Sequence, residues 1–126
     1  LISNLNKDIN ESLAHASTVI AEQLNASAII TIATDINLIK YISKFRPRIP
    51  IIGLSNNLDL IRQMNLIWGV IPIYINKLDS FDDFYKFFLN NKEKFSYIIN
   101  ESYIVFVSGD NNLTFDNMIK VNQIIF

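Results

Sequence analysis

The stretch Ser27-Ala-Ile-Ile-Thr-Ile-Ala33 is a short β-branched run in which apolar and polar residues do not alternate. This pattern is typical of a strand that is covered on both faces, and such strands usually belong to parallel sheets. A helix is predicted before it, because apolar residues recur there at intervals of three and four. They are Ile9, Leu13, Ala16, Ile20 and Leu24. Together the two elements predict the start of an α/β sheet.

Helices and strands alternate in the same way along the rest of the chain. Further strands are predicted over residues 50–55, 70–75, 103–107 and 121–125. Helices are predicted between the earlier strands, with N-caps at Thr34 or Asp35, at Asn56 or Asn57, and at Ser80. This order implies right-handed crossovers and a three-layer α/β/α sandwich around a mostly parallel five-stranded sheet. The polar connection after residue 107 is short for a parallel crossover, so the last strand is expected to be antiparallel.

Composition excludes several classes of partner. The chain has 11 basic and 12 acidic residues, so no overall field draws it to nucleic acid or to a membrane surface. No apolar run approaches the roughly 20 residues that cross a bilayer. The absence of cysteine excludes disulfides and thiolate metal sites and fits a reducing compartment, so we expect a cytoplasmic protein. Residues 1–126 have the size of one domain, and the non-methionine start at Leu1 suggests that it was cut from a longer chain.

No catalytic or metal-binding constellation is apparent in the sequence. His15 is the only histidine, and no nucleophile or carboxylate lies at a spacing that would orient it. One histidine without cysteine does not readily supply a zinc or iron site. Asp82 and Asp83 stand at a helix start, where capping explains them better than acid and base catalysis. The three glycines cannot form the known phosphate-binding loops. We therefore predict no catalytic residue and no metal ligand.

The residues disfavour two further functions, phosphate binding by a basic cluster and a role in a phosphorelay. Lys44, Arg46 and Arg48 form a basic cluster that could contact phosphate, but Pro47 lies within it and no aromatic platform surrounds it in the sequence. A solvated helix end is the favoured interpretation. A phosphorelay receiver domain is also a small doubly wound sheet, but it needs an acidic pair after its first strand, where this chain has Asp35 alone.

Three stretches, in the right order, resemble the C-terminal domain of pyruvate kinase. They are Phe45-Arg-Pro-Arg-Ile-Pro-Ile51, Trp68-Gly-Val-Ile-Pro-Ile73 and Asn117-Met-Ile-Lys-Val121. The corresponding family motifs are an aromatic-Arg-Pro-x-x-Pro-Ile turn, an aromatic-Gly-Val-x-Pro segment, and a Thr-Asn-x-x-x-Val segment at the start of the last strand. Prolines fix turns at strand starts and Gly69 allows a sharp exit from a helix, so these are signatures of a fold.

The resemblance implies a domain that supports and assembles a pyruvate kinase without chemistry of its own. In the family, phosphoryl transfer from phosphoenolpyruvate to ADP occurs in a separate (β/α)₈ barrel, which holds the catalytic lysine, the magnesium carboxylates and the potassium site. We therefore expect no cofactor in this chain and the catalytic barrel of the parent chain as a partner. Magnesium and potassium belong to the parent enzyme of glycolysis.

The resemblance also implies a regulatory site that this chain has lost. The family often binds a sugar phosphate at a Ser-Gly-basic-Ser/Thr loop, which falls here on Asp35, Ile36, Asn37 and Leu38. These four positions lack the glycine, the hydroxyl side chains and the basic residue of the family loop. Asp35 also places negative charge where phosphate would lie. The second effector loop, before the last strand, is shorter here and keeps one glycine. The positional candidates for a degenerate effector site are Thr34, Asp35, Asn37 and Gly109.

The last strand is expected to join subunits, as the corresponding strand does in the family. Residues 121–126 contain no proline and no charge, so they lack the devices by which free strand edges avoid pairing. A homo-oligomer is therefore predicted through this strand, although the first helix or the loop at 108–116 could cover the edge instead. The predicted interface residues are Val121, Gln123, Ile124 and Phe126.

A second hypothesis assigns the chain to a different class of function. It is a free-standing domain that binds a small anionic metabolite at the carboxyl ends of its strands, where open α/β sheets place ligands. The local candidates are Thr34, Asn37, Asn56 and Gly109. A long barrel sequence upstream in the reading frame would favour the assembly domain over this alternative.

Overall fold

A computed structural model of the chain describes residues 9–33, 36–77, 81–109 and 117–126. Helices and strands alternate within these residues in the predicted order. The elements are α1 (Ile9–Leu24), β1 (Ala28–Ile32), α2 (Asn37–Lys44), β2 (Ile51–Ser55), α3 (Leu58–Met64), β3 (Val70–Tyr74), α4 (Phe81–Asn90), a 3₁₀ helix (Lys92–Phe95), β4 (Tyr103–Ser108) and β5 (Met118–Gln123).

The five strands form one sheet in the order β3-β2-β1-β4-β5. β1 pairs in parallel with β2 and β4, and β2 pairs in parallel with β3. β5 is antiparallel to β4. The predicted α/β sandwich, with a mostly parallel sheet and an antiparallel last strand, is confirmed.

β1 is the central strand, and all five of its residues are buried. Its side chains alternate between two apolar clusters. Ile30 joins the cluster that contains the aromatic rings of Phe84, Phe88 and Phe95, whereas Ile29 joins the cluster beneath α1 and α2. Both faces of the sheet are therefore covered, as the unbroken apolar run predicted.

The buried face of α1 is displaced by one residue from the predicted stripe. Its buried residues are Asn10, Ala14, Ser17 and Ala21. Ile9 and Leu24, which the periodicity placed in the stripe, are 50% and 39% exposed. Small side chains let the helix lie close against the sheet, so the larger apolar residues pack at its flanks.

A side-chain cap accounts for the start of α3. Asn57 is the N-cap of α3, and its side-chain oxygen accepts hydrogen bonds from the Asp59 and Leu60 amides at 2.8 and 3.3 Å. α2 follows Ile36, which makes no side-chain capping bond. The predicted caps Thr34, Asp35 and Ser80 lie outside the described residues.

β5 begins three residues before the predicted strand and ends two residues earlier. All six residues of β4 pair with all six of β5, from Ser108 opposite Met118 to Tyr103 opposite Gln123. The length of β4 therefore sets the bounds of β5, and β5 includes polar residues that a search for an apolar run leaves out. Lys120, predicted to precede the strand, lies inside it.

Candidate functional site

The parallel strands end at one edge of the sheet, where open α/β sheets place ligands. Asn37 is the first residue of α2, Asn56 follows β2, and Gly109 follows β4. Because β2, β1 and β4 are neighbours, the structure brings these three connections to the same edge. Thr34 and Asp35, the other candidates there, lie outside the described residues.

Gly109 has a packing role at this edge. The residue is buried, and a Cβ atom on it would collide with the side-chain oxygen of Asn10 and lie 3.0 Å from Leu38 Cδ2. The missing side chain thus lets the start of α1 and the first turn of α2 meet the end of β4. The sequence pattern did not predict Asn10 at this edge. A signal was present, because Asn10 begins a series of small residues at helical spacing that forms the buried face of α1.

Few cations face this edge. Of the described residues in the connections after β1, β2, β3 and β4, Lys77 is the one basic residue. The Ser55 hydroxyl accepts from the Asn57 amide at 3.0 Å, and the Asn57 side chain caps α3. The polar groups near β2 are therefore used in local structure, and Asn56 is left exposed.

The predicted interface residues occupy two different environments. Val121 is 40% exposed on β5, and the nearby Gln123 is also exposed. Ile124 follows the strand and is fully buried in the aromatic cluster of its own chain, so its side chain is not available to a second copy. Phe126 is 44% exposed, with its ring 5.4 Å from that of Phe88. The interface itself stays a prediction.

Hydrogen bonds hold the chain end against α4 and the 3₁₀ helix region. The Tyr85 hydroxyl donates to the Ile125 carbonyl at 2.8 Å, and the Phe126 amide donates to the Asn100 side chain at 2.8 Å. The Glu101 amide donates to the Ile124 carbonyl at 2.6 Å. The last three residues are thereby part of the fold rather than a free extension of β5.

A family model described as pyruvate kinase, alpha/beta domain matches residues 11–122. The chain belongs to the pyruvate kinase alpha/beta domain family. This confirms the resemblance carried by the three motifs. The first motif forms the turn from α2 to β2, the second leads into β3 and the third into β5, so all three stand at strand starts.

Relatives and solved structures agree with the family. Pyruvate kinase 2 of Synechocystis sp. is 30% identical over 115 residues, which are 82% of this chain and 20% of that protein. The pyruvate kinase of Clostridium acetobutylicum is 27% identical over 123 residues, 96% of this chain and 26% of its own length. The crystal structure of Cryptosporidium parvum pyruvate kinase has the same fold, with a TM-score of 0.80, 24% identity, and coverage of 93% of this chain and 22% of that one. The chain spans about a fifth to a quarter of these pyruvate kinases.

The pyruvate kinase fold brings no metal cluster together in the described part of this chain. There, no three His, Cys, Asp or Glu side chains converge where they could hold a metal ion. His15 lies on α1 and stacks on Phe45, with ring centroids 5.2 Å apart. No helix within the described ranges is long and apolar enough to cross a membrane.

Proposed function

We propose that this chain is the structural and assembly domain of a pyruvate kinase and performs no chemistry by itself. The parent enzyme would transfer phosphoryl from phosphoenolpyruvate to ADP in the cytoplasm, with magnesium and potassium in its barrel. The role of the domain would be to support that barrel and to join subunits. The observation that carries the proposal is the position of β5 as an edge strand of the sheet that the described residues form.

The two edges of the sheet differ in their protection against pairing. β3 forms one edge and contains Pro72, which has no amide hydrogen to offer a further strand. β5 forms the other edge and contains no proline. Lys120 is the one charged residue of β5. Its ammonium group lies 4.6 Å from the centroid of the Phe81 ring of the same chain. β5 is thus the edge better suited to accept a partner strand.

Exposed apolar side chains extend along the same edge. Val121 is 40% exposed within β5, and Ile125 and Phe126 are 62% and 44% exposed just beyond it. A two-fold arrangement would pair β5 with its own copy and cover these side chains. Ile124 would contribute indirectly, since it anchors the chain end from within the core.

Loss of regulation at the carboxyl edge is the second part of the proposal. Asn37 is exposed at the start of α2, where the family's basic loop residue would stand, and it carries no charge. Gly109 is explained by its contact with Asn10 without any ligand. Lys77 is one cation, whereas a sugar bisphosphate presents two dianionic groups. These features support an assembly domain whose former effector site no longer holds phosphate.

The assembly role is tested by Val121→Lys, which places a charge on the β5 edge. Sedimentation velocity should show self-association of the unchanged chain and a dissociation constant raised about tenfold or more in the variant, because facing copies would bring two lysines together. Leu89→Lys is the matched control, since Leu89 is 37% exposed on α4, and it should associate like the unchanged chain.

Two results would contradict the proposed interface. One is a chain that stays monomeric at high concentration. The other is equal weakening by Val121→Lys and Leu89→Lys, which would indicate a general effect of charge instead of pairing through β5.

A further inference from the structure

A cavity opens at the opposite edge of the sheet, where the parallel strands begin. It lies between α1 and the connection from α2 to β2 and has a volume of about 430 Å³. That volume lies within the roughly 300–1,000 Å³ of sites that hold small organic ligands. Its lining includes His15, Thr18 and Glu22 from α1 and Phe45, Arg46 and Arg48 from the connection.

The cavity carries an excess of positive charge. Arg46 and Arg48 both line it and both are exposed, and neither forms an ion pair with a carboxylate of the described residues. Glu22 is the one acidic residue among the lining groups. A guanidinium group is planar and donates in a fork that matches the oxygens of phosphate and carboxylate. The cavity therefore favours an anion.

Arg46 is fixed in place by several contacts. Its amide donates to the Ser43 carbonyl at 2.9 Å, and the Ser43 hydroxyl donates to the Trp68 carbonyl at 2.7 Å. The guanidinium carbon lies 4.5 Å from the centroid of the Trp68 ring. Trp68 is 22 residues away in sequence, which is why the basic cluster showed no aromatic neighbour before folding. A cation that is already ordered loses less entropy when an anion binds.

The backbone of Arg46 adopts a conformation that is common after helix ends. Its φ angle is 51°, in the left-handed region that follows many helix ends. Glycine adopts this conformation without strain, whereas a residue with a Cβ atom is less easily accommodated in it. Arginine thus stands where glycine would be easier to accommodate, beside a cavity that its side chain lines.

Phe45 and His15 supply a flat wall. Their rings stack at an interplanar angle of 24°, and Phe45 remains 41% exposed. On the far side of this pair lies a shallower depression of about 320 Å³, which borders Glu11 and Ser12. An anion is therefore drawn to the arginine side of the pair, and a ring attached to it can pack against the wall.

We propose that this cavity binds a small organic anion, whose phosphate or carboxylate group lies between Arg46 and Arg48 and whose flat ring packs against Phe45 and His15. Thr18 and Glu22 face the ligand body from α1 and favour hydroxyl or amino groups there. The site is distinct from the carboxyl edge and from β5, and it does not depend on the assembly role.

Binding is tested with simple probes on the 126-residue chain. Phenyl phosphate and benzoate present the ring with one or the other anionic group, inorganic phosphate presents the anion alone, and benzyl alcohol presents a neutral ring. In NMR titrations, the favoured ring-bearing anion should bind saturably, with the largest shifts at His15 and residues 45–49. Inorganic phosphate should bind about tenfold more weakly, and benzyl alcohol should not saturate. The stronger of the two ring-bearing anions identifies the preferred group.

Arg48→Glu is the decisive variant, and Lys77→Glu is its matched control. Both reverse one exposed charge, but Lys77 lies at the opposite edge of the sheet. Affinity for the ring-bearing anion should fall about tenfold or more in Arg48→Glu and change less than about twofold in Lys77→Glu. If the amide spectrum of Arg48→Glu is not that of the folded chain, Arg48→Gln serves with the same expectation at a smaller loss.

Several outcomes would overturn the proposal. They are equal losses in both variants, shifts confined to the carboxyl edge, and the absence of saturable binding by all of the anionic probes. The titration is repeated at two protein concentrations. If the dissociation constant of the probe increases as protein concentration rises, a second copy of the chain closes the cavity. That result would also contradict a ligand site.

Discussion

Two tyrosine hydroxyl groups of this chain have opposite surroundings. Tyr85 donates its hydroxyl hydrogen to the Ile125 carbonyl at 2.8 Å, which ties the chain end to α4. The Tyr97 hydroxyl is buried and has no hydrogen-bond partner among the described residues. Burial raises the pKa of Tyr97 from its ordinary value of 10.0 to about 12, because the phenolate loses solvation. Removing the hydroxyl group should therefore change the free energy of unfolding differently at Tyr85 and at Tyr97.

Replacing each tyrosine by phenylalanine should separate the two environments at neutral pH. Tyr85→Phe removes a hydrogen bond, and its free energy of unfolding in urea should fall by about 0.5–1.5 kcal/mol. Tyr97→Phe removes a buried hydroxyl without a partner, so stability should stay the same or rise. A larger loss in Tyr97→Phe than in Tyr85→Phe would show that the Tyr97 hydroxyl is satisfied.

The raised pKa of Tyr97 predicts a loss of stability in alkali. The folded chain holds the Tyr97 hydroxyl proton more tightly than the unfolded chain does. The contribution of this proton to the free energy of unfolding is therefore complete below pH 10 and disappears as pH rises towards about 12. Urea unfolding across this range should show a smaller decline for Tyr97→Phe than for the unchanged chain. Parallel declines would place the Tyr97 hydroxyl in water.

The elements show which parts of the fold were readable from sequence. β1 was predictable because burial on both faces leaves a run of apolar residues with a plain signature. The inner face of α1 was predicted one residue away, since large apolar residues dominate a periodicity while small ones make the closest contact. The bounds of β5 were set by its pairing with β4, a long-range property. The cavity beside Arg46 was not predictable for the same reason, because α1 and the connection from α2 to β2 come together only in the folded chain.

The end of the chain offers a matched test of how the β5 region is held. Ile124 is fully buried and its neighbour Ile125 is 62% exposed. Ile124→Ala should lower the free energy of unfolding by about 2–5 kcal/mol, because it leaves a cavity in the aromatic cluster. Ile125→Ala should change stability by less than about 0.5 kcal/mol. Equal effects in urea denaturation would mean that Ile124 is not anchored in the core.

The described part of the chain forms a sheet that is covered on both faces and has β3 and β5 as its edge strands. Pro72 removes one amide donor from β3, whereas β5 contains no proline and has exposed apolar side chains in it and beside it. The carboxyl edge, where related folds place ligands, is occupied by packing at Gly109 and capping at Asn57. The assembly role proposed above rests on these differences between the two edge strands.

Catalysis by the isolated chain provides a test at this level. A lactate dehydrogenase-coupled assay with phosphoenolpyruvate, ADP, magnesium and potassium should give the rate of buffer alone, with a complete pyruvate kinase as positive control. The reason is that the chain spans only about a fifth to a quarter of the pyruvate kinases that it matches. Turnover that follows the chain through purification and disappears on substitution of one of its own residues would contradict the non-catalytic role.

Amide hydrogen exchange over about a hundredfold range of protein concentration can compare the two sheet edges in one experiment, because association protects an edge by mass action. If β5 joins subunits, the amides of residues 118–123 should exchange more slowly as concentration rises. The amides of Val70, Ile71, Ile73 and Tyr74 in β3 should keep the same rates. Protection of β5 that does not change with concentration, or protection that rises on β3 instead, would contradict assembly through β5.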